Sequence, residues 1–229
     1  MRTSSMMKTV LFLLSAALIT APAGAAPVRK RKSIKPAPKA AAATAASKET
    51  LQVMRLFDFE TDLDGWRIPD WAFAKKDNAA VDVSLAEDQS SNGKKSLKMN
   101  CNFPPKMWSG AYVEIERESG NFMDFTGHQY LLVDVFLPPE APKLKGEIIL
   151  TVGENWAWTE MRQPVMLTPG QWTTVKADVT PDGTDWKVRL TSDLASDVRK
   201  LGVRVSSSSP EYKGPVYIDN IRLGSFKKK

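Results

Sequence analysis

The sequence predicts an all-β domain, an antiparallel β-sandwich, and three observations carry that prediction. Short segments with period-two alternation of apolar and polar residues recur from Leu56 to Leu223. Each is stopped by Gly, Pro, Asn or Asp, and no segment carries a long apolar stripe at the 3.6-residue helical period. The third observation is a pair of bookends, Leu56-Phe57-Asp58-Phe59-Glu60 running on to Gly65-Trp66, and Gly214-Pro215-Val216-Tyr217-Ile218-Asp219-Asn220-Ile221-Arg222-Leu223. Both alternate aromatic or β-branched residues with acids, the pattern of strands with one buried face, so the two ends of the domain are expected to pair.

Ahead of the domain, Arg2 and Lys8 precede an apolar run from Val10 to Ile19, and Ala21 to Ala26 supply small residues for a signal-peptidase cut. Residues 1–26 therefore read as a signal peptide, which predicts a secreted, periplasmic or extracellular location. The run falls well short of the ~20 apolar residues that a spanning helix needs, so no transmembrane segment is expected after cleavage. A retained anchor is the alternative. Residues 27–50 hold Arg29, Lys30, Arg31, Lys32, Lys35, Lys39 and Lys48 among Ala and Pro, with no aromatic residue. That is the composition of a disordered linker.

The formal net charge of +6 belongs to these leading segments. Residues 1–26 contribute +2 and residues 27–50 contribute +6, which leaves 6 − 2 − 6 = −2 for residues 51–229. An acidic domain behind a basic arm argues against specific nucleic-acid recognition, which needs the basic patch on the folded surface. The arm either acts as a solvated spacer or clings to an anionic surface through screened attraction.

Within residues 51–229 the strands are expected at Val81–Leu85, Ser96–Met99, Ala111–Ile115, Tyr130–Phe136, Glu147–Val152, Trp172–Ala177 and Lys200–Val205. Turn signals separate them at Asn92-Gly93, Ser119-Gly120, Pro138-Pro139, Pro169-Gly170 and Asp182-Gly183. Cys101 is the single cysteine, so no intrachain disulfide exists, and its strand setting makes it an inert core thiol. Trp66, Trp172 and Trp186 read as packing residues.

Five of these pieces, in order, resemble the jelly-roll carbohydrate-binding modules with a galactose-binding-like sandwich that accompany secreted polysaccharide-degrading enzymes. They are Phe57-Asp58-Phe59-Glu60 with Gly65-Trp66, Asn92-Gly93-Lys94-Lys95-Ser96-Leu97, Phe125-Thr126-Gly127 leading to Tyr130–Phe136, Leu167-Thr168-Pro169-Gly170 with Trp172–Val175, and Val216–Leu223. The resemblance implies a jelly roll that binds a polysaccharide or cell-surface glycan. It also implies a structural Ca²⁺ near the paired terminal strands, held by Glu60 and Asp219 with Asp58 as a further ligand, since hard oxygens suit that ion. A surface acid cluster, or acids bonded to Arg222 and Lys98, is the other reading of those carboxylates.

The binding candidates are Trp156, Trp158, Glu160 and Arg162, spaced two apart. If the chain continues there as a strand, all four face one way and offer two ring faces beside directed polar groups, which suits a sugar. A sandwich edge with a surface ion pair is the alternative. Trp108, between Pro and Gly, and Trp71, after Pro69-Asp70, could extend the platform or plug loops.

An enzyme is not expected. Glu114, Glu116 and Glu118 alternate on one strand but do not form the Glu-x-Asp-x-x-Glu signature of sandwich glucanases. One histidine and four tyrosines match no lyase or triad pattern, and His128 and Cys101 lack companions for a transition metal. The expected function is a non-catalytic carbohydrate-binding module. A structural or protein-interaction sandwich of the cell envelope is the alternative, with a jelly-roll glycoside hydrolase or lyase behind both.

Overall fold

Alternating apolar residues on most strands give each a face to bury, and two sheets bury them against one another. The computed structural model describes residues 50–208 and 211–227. The signal-peptide reading and all but the last residue of the linker reading lie outside them. The strands are β1 (Thr50–Phe57), β2 (Ala80–Ala86), β3 (Ser96–Phe103), β4 (Ser109–Glu116), β5 (Tyr130–Phe136), β6 (Lys145–Val152), β7 (Ala157–Glu160), β8 (Val165–Met166), β9 (Trp172–Asp178), β10 (Val198–Ser207) and β11 (Tyr212–Lys227). Two single helical turns, α1 (Asp70–Phe73) and α2 (Ser192–Ala195), complete the set. No helix among the described residues is long and apolar enough to cross a membrane.

One sheet has the order β2-β3-β11-β5-β9, with β1 paired to β11; the other has the order β4-β10-β6-β7, with β8 paired to β6. Every ladder between these strands is antiparallel. The bookends do pair: Thr50–Phe57 run against Ile221–Lys227. β11 is 16 residues long and serves two neighbours on one side, β3 along Tyr212–Ile218 and β1 beyond Asn220. The change-over is a bulge at Asn220, which adopts φ +51°, a left-handed conformation that Asn tolerates better than most residues.

The core lies between the sheets. Leu131, Val133 and Val135 of β5 and Val216 and Ile218 of β11 meet Val113 of β4, Leu150 of β6 and Leu201, Val203 and Val205 of β10, all fully buried. Trp66 is buried edge-on to Phe57 and Phe59 at 5.5 and 6.0 Å, and Trp186 is equally enclosed. Trp172 is half-buried and packs on Phe136 at 5.5 Å. Cys101 is buried, and loss of solvation pushes its thiol pKa far above the usual range, which leaves it unreactive.

Candidate functional site

The outer face of the second sheet carries the site, and strand alternation decides which residues stand there. With Leu201, Val203 and Val205 turned to the core, β10 presents Lys200, Gly202, Arg204 and Ser206 outward. By the same rule β4 presents Tyr112, Glu114 and Glu116, β6 presents Glu147, Ile149 and Thr151, and β7 presents Trp158 and Glu160. The register then places Arg204 between Tyr112 and Glu147, and Gly202 between Glu114 and Ile149, with Glu160 one strand further on.

Gly202 decides the shape of this face. A Cβ there would lie 2.2 Å from the Tyr112 hydroxyl, so the missing side chain is what lets the phenol ring lie across β10. From that position the Tyr112 hydroxyl donates to Glu114 Oε2 at 2.9 Å, and the ring meets Trp158 at 5.7 Å. Trp71 closes over both, 5.5 Å from Tyr112 and 6.2 Å from Trp158. Its loop is fastened to the edge of β4 on either side of α1: Arg67 and Glu114 exchange both backbone bonds, and Ala79 N donates to Gly110 O at 2.9 Å. Trp108, next to the first residue of β4, stands across a cavity of about 180 Å³ whose lining includes Trp71, Trp108, Tyr112, Trp158, Arg204 and Asp77. The three indoles are 41–45 % exposed, far from the 1–2 % of Trp66 and Trp186, so their ring faces are open to a ligand.

Beneath the rings lies a chain of charges. Arg204 Nε donates to Glu147 Oε1 at 2.7 Å, its Nη2 donates to Glu160, and Lys187 donates to the other oxygen of Glu160. Burial opposes the charge on Arg204, yet the Glu147 and Glu160 carboxylates outweigh it and hold the guanidinium pKa above its usual value. Burial likewise pushes Glu160 up, and Lys187 with Arg204 more than reverse that, leaving its carboxyl below the ordinary range. Arg204 also sits 5.7 Å from the Trp108 ring, a cation–π contact that sets the indole's position. Further along β10, Lys200 bridges Glu114 and Glu116 at 3.1 and 2.9 Å. Burial raises the Tyr112 phenol pKa, and Glu114 raises it further, so the hydroxyl remains protonated as a donor.

The structure gathers Trp71, Trp108, Trp158 and Glu160 around Arg204, but the expected four-residue face does not form. β7 covers only Ala157–Glu160. Trp156 precedes it in the turn, at φ +52°, and its ring lies over Arg199 and Lys200 at 5.2 and 5.8 Å, toward the far end of the groove. Arg162 follows β7 and leaves the face altogether. Its Nε donates to Trp186 O at 2.8 Å and its Nη2 to Lys187 O at 3.3 Å, beside a depression of about 720 Å³ that does not include the indole cluster. Tyr112, Arg204 and Gly202 went unremarked in the sequence because each sits inside an ordinary alternating strand. The readable signal was that the polar positions of two such strands carried a Tyr, an Arg and a Gly.

The carboxylates assigned to Ca²⁺ are otherwise engaged. β1 ends at Phe57, and Phe59 takes φ +55°, so Asp58 and Glu60 do not share a strand face. Glu60 accepts the backbone amides of Lys94 and Lys95, which hold its pKa below the usual range. The turn that brings these amides needs Gly93, where a Cβ would lie 2.2 Å from the Glu60 carboxylate. Asp219, fully buried, accepts the amides of Ser91 at 2.7 Å, Asn92 at 3.0 Å and Asn220 at 2.6 Å. Asp58 pairs with Arg55 at 3.5 Å, and Arg222 binds Asp134 rather than Asp219. Among the described residues no three carboxylates, imidazoles or thiols converge to hold a metal ion. In this arrangement Glu60 and Asp219 take backbone amides and Asp58 takes the Arg55 guanidinium.

A family model described as the mannanase galactose-binding-like domain matches residues 57–220. Among solved structures, the chain is similar to a carbohydrate-binding module described as specific for non-crystalline cellulose, CBM28, with TM-score 0.54 and 15 % identity over 72 % of this chain and 90 % of that one. It is similar to CBM27-1 of Caldicellulosiruptor saccharolyticus, solved in complex with mannohexaose, with TM-score 0.52 and 21 % identity over 75 % of this chain and 96 % of that one. At such identities these likenesses establish the β-sandwich fold. None of the curated proteins matches the chain.

Proposed function

The chain belongs to the family of mannanase galactose-binding-like domains, and from that membership we propose that it is an exported, non-catalytic module that binds a β-linked polysaccharide of the mannan type along the outer face of β4-β10-β6-β7. One observation carries the reading: three half-exposed indoles and a phenol surround a guanidinium at the mouth of one cavity. An indole face packs against the C–H face of a pyranose, while Arg204 and Asp77 supply directed bonds to hydroxyls. The CBM27-1 complex with mannohexaose favours mannan as the first ligand to test. Export rests on the leading pattern of Arg2, Lys8 and the Val10–Ile19 run.

The state of the acids supports the absence of catalysis. A glycosidase needs one carboxyl with a raised pKa to protonate the leaving oxygen. In this groove Glu160 is held low by Lys187 and Arg204, and Glu147 and Glu114 are tied to Arg204 and Lys200. The acids serve here to orient cations. We read Asp58, Glu60 and Asp219 as structural groups in the same way.

The test is titration of the chain with mannohexaose, xylohexaose and cellohexaose, followed by tryptophan fluorescence. A saturable change with mannohexaose is expected, weakened about tenfold or more in Trp158→Ala and Trp71→Ala variants that melt like the parent. Silence toward every glycan would overturn the reading and favour a protein-interaction sandwich.

A further inference from the structure

The outer face of β10 does not end at Arg204. Two residues on, roughly 7 Å at the rise of a strand, Ser206 lies between Gly110 of β4 and Lys145 of β6. A second cavity of about 140 Å³ opens there, lined by Trp108, Met166, Lys143, Lys145 and the serines at 206–208. Trp108 is common to both cavities, so its indole forms the partition between two steps of one groove.

The two steps differ in hydrogen-bonding sense. The first offers donors and acceptors together: Arg204 and Lys75 donate and Asp77 accepts. That mixture suits neutral sugar hydroxyls, each of which is itself donor and acceptor. The second step holds two ammonium groups, which only donate, together with serine hydroxyls and the Met166 side chain, and no carboxylate. Neither Lys143 nor Lys145 takes part in an ion pair among the described residues, and the carboxylate two residues along Lys145's own strand, Glu147, is already committed to Arg204. The excess of cations is local, since residues 51–229 sum to −2. A wall of donors beside an aromatic face matches a ligand that is acceptor-only and attached to a ring.

We propose that the cavity beyond Trp108 is a subsite for the carboxylate of a uronosyl unit, held by Lys143 and Lys145, so that the polysaccharide bound by this groove carries acidic sugars. This inference rests on the glycan-binding reading and narrows its ligand. Mannohexaose and the β-1,4-linked mannuronate hexamer share backbone geometry and differ in their carboxylates, so together they separate the two claims.

At low salt the mannuronate hexamer is expected to bind about tenfold more tightly than mannohexaose, an advantage that shrinks as salt approaches ~0.15 M. In the Lys143→Gln/Lys145→Gln double variant the ratio of the two affinities should fall to about one, whereas Lys94→Gln, a surface lysine distant in sequence, should leave the ratio as in the parent. A parent that binds mannohexaose but gains nothing from the carboxylates overturns the acidic subsite and leaves the glycan reading standing. An acidic preference that survives the double variant also overturns it, because the charge is then read elsewhere. If neither hexamer binds, the subsite and the mannan-type reading fall together, and silence toward xylohexaose and cellohexaose as well would take glycan binding down with them.

Discussion

The domain encloses carboxylates in two places, and it neutralises them by different means. On the outer face of the second sheet, Glu147 and Glu160 meet the side-chain cations Arg204 and Lys187. At the β11 bulge, Asp219 meets three backbone amides. The pKa shifts run in opposite directions as a result. Burial raises Asp219, and its amide bonds lower it without fully offsetting that burial, whereas cations more than offset burial at Glu160. A carboxylate held by amides pins the chain segments that carry those amides, so Asp219 staples the Ser91-Asn92 turn to β11. Carboxylates held by side chains instead fix a guanidinium and leave its remaining donors at a cavity mouth. The first arrangement builds the sandwich, and the second builds a surface that can receive a ligand.

The largest expected effect breaks the structural side of this contrast. Asp219→Ala leaves three amide donors without their acceptor in a fully buried site, and urea unfolding should show a loss of about 3–5 kcal/mol. A loss under about 1 kcal/mol would mean that water takes over the amides and that Asp219 is no staple. Arg204→Ala comes next. It strips the partner from Glu147 and Glu160, where partial exposure tempers the cost to about 2–3 kcal/mol. This variant should also lose glycan-induced fluorescence change at temperatures where it remains folded, whereas folded Asp219→Ala should keep it. Equal binding by both variants would dissolve the distinction between the two sites.

The smallest effect concerns pH. Because the folded state lowers the Glu160 pKa, the stability that this group contributes is fully present above the unfolded value of about 4.3 and is lost as pH falls through the folded pKa. Asp219 runs the other way: its raised pKa means that its contribution weakens as pH rises from about 3.9 through the folded value. Glu160→Gln should therefore lose less stability than the parent between pH 7 and pH 3.5, by under about 1 kcal/mol in urea midpoints. An unchanged acid limb would show that Glu160 is not held by its two cations.

Much of the sandwich was legible because β-strand alternation is a local signal. Tyr130–Phe136 is a strand over the range its pattern indicates, and the bookends pair because their apolar faces have a common core to fill. The site was legible only in pieces. Trp71 and Trp108 announced themselves by flanking turn residues, and Trp158 by its two-residue spacing from Glu160. The run from Trp156 to Arg162 misled, since period-two spacing places side chains on one face only while the chain stays extended, and here it turns before Ala157 and again after Glu160. Asp58 and Glu60, two apart in the sequence, part from a common face for the same reason at Phe59.

By itself the sequence determined the sheet-forming segments, the turns between them and the lone buried thiol, since each depends on neighbours a few residues away. The tertiary structure alone decided that Tyr112, Arg204 and Glu160, distant in the chain, would share one face. That outcome depends on the register of four strands and on the empty space above Gly202, neither of which is encoded within any single strand.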